Sequence, residues 1–177
     1  RVVNFELDIG LVEGELRHPD VDVIPWRRDE LVVFCAPHHP YAHKKLLEDN
    51  DLLKATWILR ESGSGTRQTF ERAMHGLLPN LNVLLELQHT EAIKRAVEAG
   101  LGLGCVSNIT LKTAFERETL IPLRLANRDL RRRFYFLLHR QKYRSAGIEA
   151  WLNLCREMTP ATDLLPQNSE KTHSTTA

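Results

Sequence analysis

A loop rich in serine, glycine and threonine has the residue types that bind anions. It reads Arg60-Glu-Ser-Gly-Ser-Gly-Thr66 and lies between an apolar strand pattern and an apolar helix pattern. A strand that passes through such a loop into a helix presents backbone N–H groups and hydroxyls beside the positive end of the helix dipole. The glycines let a ligand approach the backbone closely. The loop predicts a site for a carboxylate or oxyanion, formed by Ser62, Gly63, Ser64, Gly65 and Thr66.

A second helix start supplies further candidates. His89 and Thr90 precede an apolar stripe with helical spacing, and Thr90 has the residue type of a helix cap. Both are candidate ligand-binding residues. For the first loop a plainer interpretation stays open, in which Ser64 or Thr66 caps its helix and binds nothing else.

Two enzyme motifs and one cofactor motif come close to matching and fail. A nucleophile elbow needs Gly-x-Ser-x-Gly, but Gly63 directly precedes Ser64, and a P-loop needs a lysine that does not follow Gly65. The glycines of Gly100-Leu-Gly-Leu-Gly104 come after a predicted helix and before a strand, the reverse of a dinucleotide-binding loop. We expect no catalytic residues and no cofactor.

Two clusters of polar residues are interpreted as structural. The histidines at 38, 39 and 43 lack the spacing and the carboxylate partner of a metal site, so no metal is expected. A group of arginines precedes the last predicted strand, and a solvated or salt-bridged face explains it better than a DNA contact. Its members are Arg124, Arg128, Arg131, Arg132 and Arg133.

The composition is that of a globular chain without a membrane span. The 177 residues carry a formal net charge of +1, which is a poor match for a nucleic-acid-binding module. No apolar run reaches the roughly 18 residues that a span needs. The three cysteines are odd in number and lie in apolar contexts, which favours a reducing, cytoplasmic compartment. Because the chain starts at Arg1 and enters a strand pattern almost at once, we interpret it as a fragment.

Strands and helices alternate along the chain with short connections, so the sequence predicts an α/β fold with largely parallel sheets. Pro25 is expected to stop the second strand, and the polar residues 158–177 are expected to be a disordered tail. The predicted strands cover residues 7–12, 21–24, 31–36, 56–59, 83–87, 103–107, 120–125 and 134–138. The predicted helices cover residues 46–54, 90–99, 110–118 and 145–158, and a further helix is predicted directly after the Ser62–Thr66 loop, with Phe70, Ala73, Met74 and Leu77 on its apolar face.

Five segments in order resemble the effector-binding domain of LysR-type transcriptional regulators, over roughly residues 1–157. They are Leu7-Asp-Ile-Gly-Leu-Val-Glu-Gly14, Asp29-Glu-Leu-Val-Val-Phe34, His39-Pro-Tyr-Ala42, Arg60–Arg67, and Glu91–Gly104 with its Gly-Leu-Gly-Leu-Gly end. The segment Trp57–Arg67, together with His139-Arg-Gln-Lys142, looks most like the YeiE subgroup of that family.

The resemblance implies two Rossmann-like lobes joined by two crossover strands, as in type II periplasmic binding proteins. Lobe I would comprise residues 1–35 and 128–157 and would lack its N-terminal part, and lobe II would comprise residues 36–127. A small anionic effector, a carboxylate or a sulfur oxyanion, would bind in the cleft between them, at the Ser62–Thr66 loop and at His89–Thr90. Glu61 would be an awkward neighbour for that anion, so its side chain would either point away or accept a hydrogen bond from a protonated or hydroxylated ligand.

The resemblance also implies partners. Members of the family form dimers and tetramers, and they bind operator DNA through an N-terminal helix-turn-helix that this sequence does not contain. Two other functions share the bilobal architecture. One is a solute-binding protein for anion uptake, and the other is an enzyme that acts on a small anion.

Overall fold

The computed structural model describes residues 1–14 and 16–166. The chain divides into two compact units, here called unit 1 (Arg1–Arg28 and Arg133–Ala177) and unit 2 (Asp29–Arg132). The strands are β1 (Gly10–Glu13), β2 (Val21–Cys35), β3 (Thr56–Arg60), β4 (Asn82–Leu87), β5 (Leu103–Ser107), β6 (Ile121–Leu123) and β7 (Arg131–His139). The helices are α1 (Asp49–Lys54), α2 (Gly65–Ala73), α3 (Thr90–Glu98), α4 (Lys112–Glu116) and α5 (Ala146–Glu157).

Unit 2 is built on a mixed sheet with helices on both faces. Strand β3 lies between β5 and β4 and is parallel to both, while β2 is antiparallel to β5 and to β6. Because successive side chains of a strand point to opposite faces, Trp57 packs with Phe70 of α2, and Ile58 packs with Ile93 of α3. The helices α2 and α3 therefore cover opposite faces of the same strand.

Unit 1 contains an antiparallel pair of strands and the last helix. Strands β1 and β7 pair with Gly10 opposite Leu137. Leu152 of α5 is buried against Phe136 of β7, and Trp26 stacks on Phe136 with ring centroids 4.8 Å apart. The expectation of largely parallel sheets is therefore met only by the pairing of β3 with β4 and β5, while β2 pairs antiparallel with β5 and β6, and β1 pairs antiparallel with β7.

The structure corrects the prediction that Pro25 ends a strand. Strand β2 runs without a break from Val21 to Cys35. The registers place β5 and β6 against residues 31–35, so Pro25 lies in a part of β2 that these strands do not reach. On that edge the missing N–H group of Pro25 leaves no hydrogen bond to β5 or β6 unmade, and β7 is the neighbour of β2 on its other edge.

The predicted disordered tail needs a similar correction. Within residues 158–166, Leu165 is buried and its N–H group donates to the carbonyl oxygen of Trp26. Arg27 also forms an ion pair with Asp163 at 2.8 Å. Residues 158–166 are therefore packed against β2, and residues 167–177 lie outside the described residues. The predicted lobe boundaries, at 35/36 and 127/128, stay a prediction.

Every helix in the described part of the chain is too short or too polar to cross a membrane. The helix predicted directly after the first loop is present as α2, which begins at Gly65 and ends at Ala73, and the helices predicted for residues 90–99 and 145–158 are present as α3 and α5.

Arg128 provides a test of how unit 2 is held together. Its guanidinium donates to both carboxylate oxygens of Asp49, at 3.2 and 2.7 Å, and to the carbonyl oxygens of Ala73 and His75 at the end of α2. We expect Arg128→Met to lower the free energy of unfolding by about 1–3 kcal/mol, because the partly buried carbonyl oxygen of Ala73 loses a charged donor together with the exposed acceptors. The matched variant Asp49→Asn removes only an exposed ion pair and is expected to cost under about 1 kcal/mol. Urea unfolding measures both, and equal losses would contradict the role given to the carbonyl contacts.

Candidate functional site

The two predicted parts of the site begin at one edge of the sheet in unit 2. Strands β3 and β4 are parallel, with Arg60 opposite Leu87, so the loops that follow them leave from the same edge. Helix α2 then begins at Gly65 and helix α3 at Thr90.

The first loop turns sharply and then caps α2. Gly63 has φ +88°, a left-handed conformation that a side chain would strain, and open space surrounds it. Ser64 is the N-cap, and its Oγ accepts the backbone N–H group of Arg67 at 3.1 Å. The capping interpretation is therefore correct for Ser64. Its hydroxyl proton can be donated to another group, since the oxygen is the atom that binds the helix.

Thr66 contacts Arg132, which belongs to the predicted arginine cluster and was not predicted to lie at the ligand site. Nη1 of Arg132 donates to Oγ1 of Thr66 at 3.2 Å. Nε of the same guanidinium donates to Oδ2 of Asp29 at 2.7 Å, and the hydroxyl of Ser107 donates to Oδ1 of Asp29 at 2.8 Å. The side chains of Arg132 and Asp29 are only 8% and 1% exposed. A buried ion pair thus lies directly beside the candidate loop.

The awkward carboxylate of Glu61 is neutralised by its neighbour. Arg60 donates to both oxygens of Glu61, at 2.7 and 2.9 Å. The hydrogen bonds from Arg60 are the main reason that the pKa of Glu61 lies below its usual value, with smaller contributions from backbone bonding and from the charges of Arg60 and His89. Glu61 is therefore ionised and paired at neutral pH.

Arg67, in the first turn of α2, forms hydrogen bonds that hold the same loop in place. Its Nε donates to Glu71 at 2.7 Å, and its Nη1 donates to Glu86 of β4 at 2.9 Å and to the carbonyl oxygen of Arg60 at 3.1 Å. One side chain therefore connects the end of β3, the first turns of α2 and strand β4. The loop is held rigidly at the sheet edge.

The second helix start differs from the prediction. His89, not Thr90, is the N-cap of α3, and its side chain makes no capping hydrogen bond. Thr90 is the first helical residue. The leading N–H groups of a helix have no partner within the helix, so this uncapped end of α3 can donate them to a ligand. We infer that the hydroxyl of Thr90, the first residue of α3, can also donate to a ligand at that end.

The remaining clusters behave as structural features. The described residues contain no group of His, Cys, Asp and Glu side chains arranged to hold a metal. Gly100 follows α3 with φ +84°, and a β-carbon there would lie 2.7 Å from Nε2 of His38, which fits the predicted helix end. Among the clustered arginines, Arg128, Arg131 and Arg132 form ion pairs with aspartates. The salt-bridged interpretation is therefore correct for these three.

Unit 1 also contains an open cavity of about 1040 Å³. Side chains of β2, of α5 and of the segment that connects β7 to α5 line it, including Asp22, Arg140, Arg144, Glu149 and Arg156. None of the predicted ligand-binding residues is among its lining residues. This cavity is therefore separate from the predicted site at the polar sheet edge of unit 2.

Comparisons with known proteins point in one direction. Residues 1–160 match the family model of the LysR substrate binding domain. The uncharacterized HTH-type transcriptional regulator YeiE of Escherichia coli K12 is 37% identical over 154 residues, which cover 87% of this chain and 52% of that protein. The HTH-type transcriptional regulator CysL of Bacillus subtilis is 29% identical over 139 residues, which cover 77% of this chain and 46% of that protein. The chain thus spans about half the length of the curated relatives it matches.

Solved structures agree with these relatives. The regulatory domain of CcmR from Synechocystis PCC6803, solved in complex with 2-PG, is 30% identical with a TM-score of 0.77, and the match covers 89% of this chain and 76% of that one. The cofactor-binding domain of the Cbl transcriptional regulator is 24% identical with a TM-score of 0.74, covering 92% and 71% of the two chains. The predicted two-lobed α/β fold is confirmed by these neighbours.

The Arg60–Glu61 pair leads to a prediction about pH. We expect Arg60→Met to raise the pKa of Glu61 towards its ordinary value, because the hydrogen bonds that favour the charged form are lost. In the unsubstituted protein the lowered pKa stabilises the fold above the unfolded-state pKa of about 4.3. That contribution is lost as the pH falls through the folded-state pKa.

A ¹³C NMR titration of the Glu61 carboxyl measures this shift. The control Glu71→Gln removes a nearby carboxylate that binds Arg67 and leaves Arg60 in place, so it should leave the titration of Glu61 nearly unchanged. An Arg60→Met protein in which Glu61 still titrates as before would show that Arg60 is not the cause.

Proposed function

Since the chain belongs to the LysR-type transcriptional regulators and contains their effector-binding domain, we propose that it senses a small anion at the sheet edge of unit 2. The ligand would contact Ser62, Gly63, Ser64, Gly65 and Thr66 of the first loop, with His89 and Thr90 at the start of α3. The observation that carries this proposal is that the hydroxyl oxygens of Ser64 and Thr66 already accept hydrogen bonds from Arg67 and Arg132, which leaves their protons for a ligand.

The hydrogen bonds that the loop side chains already form support an anion as the ligand. Oγ of Ser64 already accepts from Arg67, and Oγ1 of Thr66 already accepts from Arg132. Each hydroxyl therefore has its proton to offer to a further partner. The carboxylate oxygens of Glu61 are both occupied by Arg60. A ligand at this edge meets O–H and N–H donors, and the oxygens of a carboxylate or of a sulfur oxyanion are the matching acceptors.

The relatives support the same class of function. The CcmR regulatory domain was solved with the small molecule 2-PG, and YeiE and CysL are transcriptional regulators. Membership of this family favours regulation over the alternative of a solute-binding protein for anion uptake. We further propose that the domain binds its ligand without catalysing a reaction.

In the complete protein the ligand would act by shifting an equilibrium between conformations. It can do so only by its difference in affinity for the two states, typically about 1–3 kcal/mol. We propose that homo-oligomers, dimers or tetramers, relay this shift to operator DNA through an N-terminal helix-turn-helix. Free thiols at Cys35, Cys105 and Cys155 fit the reducing cytoplasm, where such a regulator would work.

A thermal-shift screen of small carboxylates and sulfur oxyanions tests the site. At 100 times Kd a ligand should add about 2.7 kcal/mol of stability. We expect Thr66→Val and Ser64→Gly to abolish the shift, because each removes a hydroxyl donor. Glycine is preferred to alanine at Ser64, since a glycine N-cap costs only a few tenths of a kcal/mol.

Ser145 supplies the matched control for this screen. It is the N-cap of α5 in unit 1, and its Oγ accepts the N–H group of Ile148. Ser145→Gly therefore removes the same kind of cap from another helix and should leave the ligand-induced shift intact. If both serine variants lose the shift equally, or if neither does, the ligand site is not the Ser64 loop.

The donor character of the site predicts a preference between two ligands of equal shape. At pH 5 methyl sulfate and methyl phosphate each carry mainly one negative charge, but the phosphate retains an O–H group because its second pKa is about 6. The one carboxylate of the loop, Glu61, already accepts two hydrogen bonds from Arg60, so it is a weaker partner for that O–H group. We expect methyl sulfate to bind about tenfold more tightly at pH 5, with the preference shrinking or reversing at pH 7.5. Calorimetric titration measures the affinity for each ligand. Equal affinities at pH 5 would contradict a site that binds its ligand mainly through hydrogen-bond donors.

A further inference from the structure

The buried pair of Arg132 and Asp29 stands at a special place in the chain. Unit 2 begins at Asp29 and ends at Arg132, so these residues are where the chain enters and leaves it. The guanidinium and the carboxylate are 2.7 Å apart and almost fully buried. The two connecting segments are therefore joined by an ion pair that water does not reach.

We infer that Arg132 is a positioning residue of the proposed effector site, which couples the Thr66 hydroxyl to these two connecting segments. Nη1 of Arg132 donates to Thr66, while Nε donates to Asp29. The guanidinium is planar, so its donors keep a fixed arrangement. A displacement of Thr66 must therefore move Arg132, and a displacement of Arg132 must disturb its contact with Asp29.

Burial makes this coupling strong. Separating a buried ion pair leaves charges without compensation, which is costly where water cannot replace the partner. Asp29 is also fixed from its other side, because Ser107 at the end of β5 donates to its second oxygen. The pair therefore transmits a movement of the loop to the connecting segments instead of absorbing it.

A backbone hydrogen bond reports on the connecting segments directly. The N–H group of Leu31 donates to the carbonyl oxygen of Leu130 at 3.0 Å. These residues lie two positions from Asp29 and from Arg132, respectively. The rate at which the Leu31 amide exchanges with solvent measures how often the two segments separate.

The functional meaning of this coupling rests on the proposed function, since an anion that binds the Thr66 hydroxyl would act on the connecting segments through Arg132. Its physical basis is testable without a ligand. A failure of the anion screen would therefore overturn the proposed function and leave the contact between Thr66 and Arg132 open to its own measurement.

The experiment is NMR-detected amide exchange of the ligand-free chain in three loop variants. We expect Thr66→Val to accelerate exchange of the Leu31 amide about tenfold, because Arg132 loses a hydrogen-bond acceptor. Thr66→Ser keeps a hydroxyl and should restore nearly the original rate. Ser64→Gly removes another hydroxyl of the loop, one that accepts from Arg67, and should leave Leu31 unchanged.

A double-substitution cycle separates coupling from general destabilisation. In the Arg132→Lys background, where the guanidinium fork is absent, Thr66→Val should add little to the exchange rate of Leu31. Additive effects of the two substitutions would overturn the inference. It would also be overturned if Thr66→Val left the Leu31 amide unchanged, or if Ser64→Gly accelerated that amide as much as Thr66→Val.

Discussion

The parallel register of β3 and β4 is the constraint on which the candidate site depends. With Arg60 opposite Leu87, both strands end at the same sheet edge, and the helix that follows each must begin there. The alternation of side chains along β3 then sends α2 and α3 to opposite faces. Two helix N-termini consequently share one edge although the helices do not pack on the same side. Loops at the carboxyl ends of parallel strands, where the chain changes direction across the sheet, commonly bind ligands for this reason.

Much of this arrangement could be predicted from residue types, because it depends on local chemistry. The alternation of apolar runs with Gly-rich and Ser-rich loops indicated the α/β class, and the order of loop and helix indicated donors at Ser64 and Thr66. Pro25 misled the strand prediction, since a proline blocks pairing only on the side where a neighbouring strand needs its N–H group. Thr90 misled the cap prediction, since residue type does not decide whether a helix begins one position earlier.

The buried pair of Asp29 and Arg132 escaped prediction for a different reason. The two residues are 103 positions apart in the sequence, and only the tertiary fold brings them together. Arg132 also stands among other arginines, where a solvated face explains a basic cluster well. A signal was present nevertheless: Asp29 lies two positions before the apolar run that starts at Leu31, on the same side of an alternating strand, where an acidic residue without a partner would be costly. A search for a distant basic partner could have started from that aspartate.

The pairing of charges also determines what kind of recognition the edge can perform. Arg60 is matched by Glu61, Arg132 by Asp29, and Arg67 by Glu71 and Glu86. These side chains therefore bring no net positive charge that would attract every anion alike. Attraction must come from hydroxyl and backbone dipoles that the paired side chains hold in place, and such dipoles act over short distances and depend strongly on orientation. A site of this kind distinguishes ligands by where their acceptor oxygens lie more than by how much charge they carry, which is the property that a sensor of one metabolite among many anions requires.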